Sequence, residues 1–325
     1  MAAAVWFPRA RAVELRAEAV RDPRPHEVRV RAVLSGLSHG TERLVYRGEV
    51  DPSLPLDLPS LAGGYGFPVK YGYASAGRVV AAGREVESAR EGDLVFALHP
   101  HQTKFDLPAD AVVPLPAGIP LPRAVLAANV ETALNATWDA APGPSGRIAV
   151  VGAGVVGALV AFLCAQIEGA EVTLIDIDPS RAALARTLGI GFSTPEAAPG
   201  DCDLVVHASG SAAGLATAIG LAGNEATVLE LSWYGTGEVA VPLGGAFHSR
   251  RLRLVASQVG QVAASHRPRW THRRRLAAAL DLLADPRLDA LLAPAVAFHD
   301  LPARLSGILA PESGVLCQLI DYPAA

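Results

Sequence analysis

The segment Val150–Gly157, VVGAGVVG, constrains the fold of this chain more than any other stretch. Gly152, Gly154 and Gly157 stand in the GxGxxG spacing, directly after the apolar run Arg147–Val151 and at the head of an apolar-faced stretch, Val155–Glu168. A strand that turns sharply into a helix needs glycine for the turn, for close backbone approach by a ligand and for helix–strand packing. The helix N-terminus then offers unpaired N–H groups and a positive dipole to phosphate. The loop backbone from Gly152 through Ala153, Gly154, Val155, Val156 and Gly157 is therefore the predicted pyrophosphate cradle. Asp176 closes the next apolar run, nineteen residues after Gly157, where a carboxylate accepts hydrogen bonds from an adenosine ribose. A carboxylate there repels a 2′-phosphate, so NAD is expected in preference to NADP. Arg181, five residues on, is read as a residue of the following helix.

The pattern continues as alternating strands and helices. Glu171–Ile175, Leu204–Ala208 and Thr227–Leu231 read as strands, and Leu252–Ala256 as one more. Pro179–Leu188 and the Ala-rich Ser211–Leu221 read as helices. Such alternation implies parallel pairing and a doubly wound α/β sheet. Ser209, just past the third of these strands, is counted with the cofactor-binding residues. The first part of the chain is different. Val5–Phe7, Val28–Leu34, Ala76–Ala81 and Leu94–Leu98 are short Val- and Leu-rich runs separated by Pro, Gly and charged residues, which is a β-rich pattern. Leu54–Pro68 reads as loop, residues 120–138 as helical, Arg273–Leu283 as a helix and Val315–Ile320 as a last strand. At about 150 residues per domain, 325 residues suggest two domains.

Composition excludes several functions. A net charge of −4 argues against nucleic acid as a partner, and no apolar run approaches the ~18 residues of a membrane span. The three cysteines, Cys164, Cys202 and Cys317, are too few and too scattered for a disulfide framework or a four-thiolate zinc site, and they suit a reducing cytoplasm.

With these motifs the chain resembles the medium-chain dehydrogenase/reductase family over nearly its whole length. The resemblance is carried by SGLSHGTE (Ser35–Glu42), YGYASAGRVVAAG (Tyr71–Gly83), GDLVF (Gly92–Phe96), the glycine motif and DLVVHASG (Asp203–Gly210). It implies a Rossmann doubly wound sheet inserted in a discontinuous, β-rich, GroES-like catalytic domain. The boundaries it implies are 1–128 plus 260–325 for the catalytic domain and 129–259 for the dinucleotide-binding domain. It also implies a homodimer formed through the edge of the Rossmann sheet. Zinc-dependent members carry a ligand cysteine where this chain has Ser38–His39, and a His-Glu pair where it has Tyr73–Ala74. Their third ligand falls near Ala128 or Asn129. The first position has no cysteine, the second no His-Glu pair and the third neither thiol nor imidazole, so the expected ligand set is missing and no metal is expected. The chain thus resembles the zinc-independent branch, including the group around bacteriochlorophyllide hydroxyethyl dehydrogenase, which shares SGxSxGTE. His99 and His101, two apart, are the remaining imidazole pair and read as structural.

Without a Lewis acid, a side-chain donor must stabilise the oxygen of a ketone as hydride arrives. Tyr73 stands at a former ligand position and is the candidate general acid, with filling of the vacated space as its alternative role. Lys70 could lower the phenol's pKa or donate directly, and His39 and Thr41 could carry the proton outward. Tyr46, Tyr65 and Tyr71 lie close enough in sequence to substitute for Tyr73. His266, Arg267, Arg269, His272, Arg273, Arg274 and Arg275 crowd the start of one helix, opposing its dipole. They read either as solvated surface or as a dock for an anionic substrate. Trp233 and Tyr234 border the nicotinamide pocket or pack the domain. The expected activity is hydride transfer between NAD(H) and a small-molecule secondary alcohol or its ketone. The alternatives are an enoyl or quinone reductase acting on an activated C=C, or a dinucleotide-binding scaffold without catalysis.

Overall fold

The computed structural model describes residues 1–56 and 63–323. Within the Leu54–Pro68 loop, residues 57–62 lie outside the described residues. The chain forms two compact units, Met1–Ala128 with Leu276–Ala325, and Asn129–Arg275.

The first unit holds two sheets. The smaller has Ala2–Phe7 between Glu14–Glu18 and Val69–Lys70, all antiparallel. The larger has seven strands, ordered Leu292–Ala297, Cys317–Asp321, Glu27–Ser38, Ser75–Ala82, Leu94–Ala97 and Val112–Pro114, with Lys104–Pro108 also pairing Glu27–Ser38. The twelve-residue strand Glu27–Ser38 organises the sheet: it takes Cys317–Asp321 antiparallel along its last five residues and Ser75–Ala82 on its other edge. The C-terminal tail thereby returns to the N-terminal part. Arg123 makes a paired contact to Asp289, 2.8 Å at Nε and at Nη2, fastening the helix Leu121–Ala124 to the 3₁₀ turn Pro286–Leu291 of the tail.

The strand Glu27–Ser38 ends where the helix His39–Arg47 begins, and Gly48, at φ 72°, stops that helix in the left-handed region. This helix carries no clear apolar repeat in the sequence, and only Glu42, Val45 and Tyr46 on it are buried. The short strands Glu14–Glu18, Lys104–Pro108 and Leu292–Ala297 likewise lack a period-2 signal strong enough to read from sequence.

The second unit is the predicted parallel sheet. Its six strands run Gly191–Ser193, Glu171–Ile175, Arg147–Val151, Cys202–His207, Ala222–Glu230 and Arg253–Ala256, every neighbouring pair parallel. The first helix is shorter than the apolar stretch predicts. It ends at Cys164, ahead of Gln166 and Glu168, both at least partly exposed. Residues 260–275 belong to this unit rather than to the first. The reason is Arg275, which is 1% exposed. Its guanidinium is held by Glu131 at 3.0 Å, Asn135 at 2.6 Å and the carbonyls of Val259 and Gln261. Burial keeps the Glu131 carboxyl above its usual pKa even against Arg275 beside it. Part of the basic cluster is therefore internal structure. Trp138 stacks on His266 at 4.0 Å and lies 4.7 Å from Trp270, over which the Arg274 guanidinium sits at 4.0 Å.

Candidate functional site

The glycine loop has the geometry its spacing implies. Gly152 turns at φ +110°, and a Cβ there would lie 2.6 Å from the Ser209 nitrogen. A Cβ on Gly157 would lie 1.9 Å from the Gly152 oxygen, so only glycine lets the helix Val155–Cys164 seat against the loop. Gly154, the N-cap, is exposed with nothing within 4 Å of a Cβ, leaving its backbone open to a ligand. The Asp176 carboxylate reaches back over the loop. One oxygen accepts the Ala153 N–H at 2.6 Å and the other the Asp178 N–H at 2.9 Å. Each oxygen keeps a second lone pair, so the carboxylate can also accept from a ribose hydroxyl. Arg181 pairs with Asp178 at 3.4 Å. These residues fit a dinucleotide. Gly157→Ala is expected to weaken cofactor binding at least tenfold and to lower the unfolding midpoint, checked by NADH fluorescence titration and thermal melting.

In the first unit the end of strand Glu27–Ser38 meets the Tyr71–Ser75 segment. Ser38 Oγ and the Tyr73 hydroxyl form a short hydrogen bond. The two positions that the family resemblance assigns to zinc ligands are thus occupied by hydroxyls that bond each other. Neither these hydroxyls nor Ala74, Ala128 and Asn129 make a zinc-binding donor set. Among the described residues no group of three or more His, Cys, Asp or Glu side chains could hold a metal ion.

Behind Ser38 lies a buried polar chain that sequence reasoning missed. The Ser38 N–H donates to Glu42 Oε1 at 3.1 Å, and Glu42 Oε2 is 2.8 Å from His101 Nε2. His101 Nδ1 is 2.8 Å from Ser35 Oγ, which is 2.9 Å from the Tyr322 hydroxyl. Ser35, Glu42, His101 and Tyr322 are each at most 5% exposed. With both ring nitrogens engaged, His101 is a structural link and not a ligand. The chain holds the start of the helix His39–Arg47 and the Ser38 backbone in place. Its members come from residues 35, 42, 101 and 322, and that separation hides it from sequence. The partner of the His-Pro-His pair, His99, stacks on Phe105 at 3.7 Å, and burial drops its pKa to about 3.

The other predicted residues fall as follows. Lys70 does not serve Tyr73: its ammonium has three donors, and Glu18 takes two contacts at 3.0 and 3.1 Å while Gln102 takes one at 3.0 Å. His39 and Thr41 open the helix after Ser38, half-buried, with His39 Nε2 3.4 Å from Ser313 Oγ. Tyr71 lies 6.2 Å from Tyr73 and 5.7 Å from Tyr65, ring to ring, and burial raises its pKa well above the ordinary phenol value. Tyr46 packs edge-on against Phe7 and donates to the Arg11 carbonyl, apart from this group. Burial pushes the Cys317 thiol up to about 12, so it stays protonated at neutral pH.

Comparison with known proteins agrees with this architecture. Residues 147–190 match the family described as 3-hydroxyacyl-CoA dehydrogenase, NAD binding domain. The 2-desacetyl-2-hydroxyethyl bacteriochlorophyllide A dehydrogenase of Cereibacter sphaeroides is 38% identical over 77 residues, which is 24% of this chain and 21% of that protein. The match thus spans about a fifth of the length of that relative. The crystal structure of 2R,3R-butanediol dehydrogenase from Bacillus subtilis superposes with a TM-score of 0.81 at 17% identity, covering 100% of both chains. Galactitol-1-phosphate dehydrogenase from Escherichia coli gives 0.78 at 17% identity, covering 98% of this chain and 99% of the other. The chain accordingly has the fold of these two dehydrogenases, with a parallel Rossmann sheet in one unit and an antiparallel-rich sheet in the other.

Proposed function

We propose that the chain is an oxidoreductase that moves a hydride between NAD(H) and a secondary alcohol or its ketone without a catalytic zinc. The observation that carries this reading is the hydrogen-bonded Ser38–Tyr73 hydroxyl pair, at positions that the family resemblance implies for zinc ligands. Gly152 to Gly157 would cradle the pyrophosphate, Asp176 would accept from the adenosine ribose, and Ser209 would border the cofactor. The bound nicotinamide supplies or takes up the hydride. A hydroxyl pair carries two protons and spends one on its own bond. It can therefore offer a proton to a substrate oxygen and pass one along the pair. Tyr73 is the donor to that oxygen, Ser38 its positioning partner, and His39 with Thr41 the route by which the proton is replaced. The relatives named above support an alcohol as substrate, and a homodimer is part of the same reading.

The test is activity toward a panel of secondary alcohols, beginning with vicinal diols, before and after dialysis against EDTA, with metal analysis of the same sample. NAD-linked turnover that survives chelation, with far less than one zinc per chain, is the expected result. Activity that vanishes on chelation and returns with zinc would overturn the zinc-free reading.

A further inference from the structure

A second constellation lies at the carboxyl end of the parallel sheet. Strand Cys202–His207 ends in His-Ala-Ser-Gly-Ser, and the chain then enters the helix Ala212–Leu221. Gly210, at φ +66°, makes the reversal possible. The His207 ring is fully buried. Its Nε2 lies 2.7 Å from Ser209 Oγ, and its Nδ1 lies 2.8 and 2.9 Å from the two oxygens of Glu230, at the end of the neighbouring strand. Glu230 is anchored in turn by the Ser232 N–H at 2.7 Å and the Tyr234 hydroxyl at 3.2 Å. Burial works to raise the Glu230 carboxyl, but the bonds from His207 and the Ser232 amide outweigh it and leave it below the usual carboxylate value. An ionised Glu230 selects the His207 tautomer with hydrogen on Nδ1, and Nε2 then accepts the Ser209 proton.

The surroundings preserve this geometry. A Cβ on Gly214 would lie 2.0 Å from Ser209 Oγ and 2.8 Å from His207 Nε2, so the helix approaches this closely only with glycine there. Ser209 itself is exposed. Ala212 and Ala213 open the helix, where helical geometry leaves first-turn N–H groups without an intrahelical acceptor. A nucleophile on a strand-to-helix turn, a buried imidazole, a carboxylate behind it and helix N–H groups beside it are the parts of an acyl-transfer site, recognised by roles rather than by order in the chain.

We propose that Ser209, His207 and Glu230 form a nucleophile–base–acid relay that hydrolyses small activated carboxylic esters, an activity separate from hydride transfer. Ser209 Oγ attacks the ester carbonyl carbon as its proton passes to His207 Nε2. The carbon–oxygen bond to the leaving alcohol breaks, and that proton leaves with the alcohol. Water then attacks the acyl-Ser209 carbonyl, giving a proton to His207, which returns it to Ser209 as the carboxylic acid departs. The acyl group must be small because Ser209 Oγ is held against the helix at Gly214. This inference does not depend on the nicotinamide reading.

The test treats the full-length protein, with no cofactor added, with a fluorophosphonate probe and with p-nitrophenyl acetate. The expected result is a single phosphonyl adduct mapped by mass spectrometry to Ser209, with ester hydrolysis falling at least tenfold in S209A and in H207N. E230Q should keep some activity but alter the pH–rate profile, because the amide can still accept from Nδ1 but lacks the carboxylate's charge. No adduct on the wild-type protein, an adduct on another residue, or S209A hydrolysing at the wild-type rate would overturn the proposal. An unchanged E230Q profile would remove Glu230 from it. Peptide mapping on the wild-type protein decides the matter even if S209A fails to fold. NADH titration of the same preparation separates the two readings. A protein that binds NADH but takes no label refutes only the esterase, and one that is labelled but binds no NADH refutes only the nicotinamide reading.

Discussion

Tyr73→Phe is expected to lower kcat about 100-fold while the affinity for NADH stays within twofold of wild type. Loss of one preorganised donor to a developing oxyanion usually takes about 10²–10³ from kcat. Here the lost group is half of the Ser38–Tyr73 hydroxyl pair. The phenyl ring still fills its place, so a loss of turnover reports the hydroxyl and not a cavity. Ser38→Ala should give a smaller fall, because Tyr73 keeps its proton but loses the oxygen that orients it. Glu42→Gln tests the support behind the pair. It leaves a hydrogen-bond partner for the Ser38 N–H but disturbs the contact to His101, and it should act more on kcat than on KM. Steady-state kinetics with NADH binding measured separately would check all three. Wild-type turnover in Tyr73→Phe would exclude Tyr73 as the donor and turn attention to hydride delivery to an activated C=C, which asks less of a proton relay.

The largest effect on stability is expected at Arg275. Its guanidinium is buried with Glu131, and removing one partner of such a pair leaves an uncompensated charge in the interior, typically a loss of about 3–5 kcal/mol. Glu131→Ala should therefore lower the urea midpoint strongly. Arg275→Met should lower it less, because a buried Glu131 whose carboxyl already sits above its usual pKa can take up a proton and become neutral. Joining Arg275→Met to Glu131→Leu should recover much of the loss, since an apolar pair of similar volume avoids desolvating two charges. Urea unfolding of Arg275→Met, Glu131→Leu and the double variant gives the coupling. Additive losses would show that the guanidinium is held mainly by Asn135 and the carbonyls of Val259 and Gln261.

The parallel half of the molecule was legible because its signals are local. The glycine spacing, the apolar run before it and Asp176 after it lie within a single βαβ unit, and the strands from Arg147 to Ala256, apart from the unread Gly191–Ser193, each carry a compact apolar run. Period and punctuation suffice for such elements. The departures from the family's short motif were legible in the same way: Ser38, Tyr73 and Ala74 could be named without coordinates.

The partners of those residues could not. Lys70 was read as serving a neighbouring phenol or donating directly, but pairing of Ala2–Phe7 with both Glu14–Glu18 and Val69–Lys70 brought it to Glu18. The basic run His266–Arg275 read either as solvated surface or as a dock for an anionic substrate, yet its last member is among the most buried large side chains in the protein. Ser35 meets Tyr322 across 287 positions, and His101 meets Glu42 across 59. Each such contact depends on which strands neighbour one another in a sheet, a property of the whole packed chain with no local pattern to announce it. The sequence by itself determined the α/β class, the glycine loop and the identities of Ser38, Tyr73 and Ala74 at the motif positions. Only the tertiary structure decided that two of those positions bond each other, and which imidazole and carboxylate stand behind them.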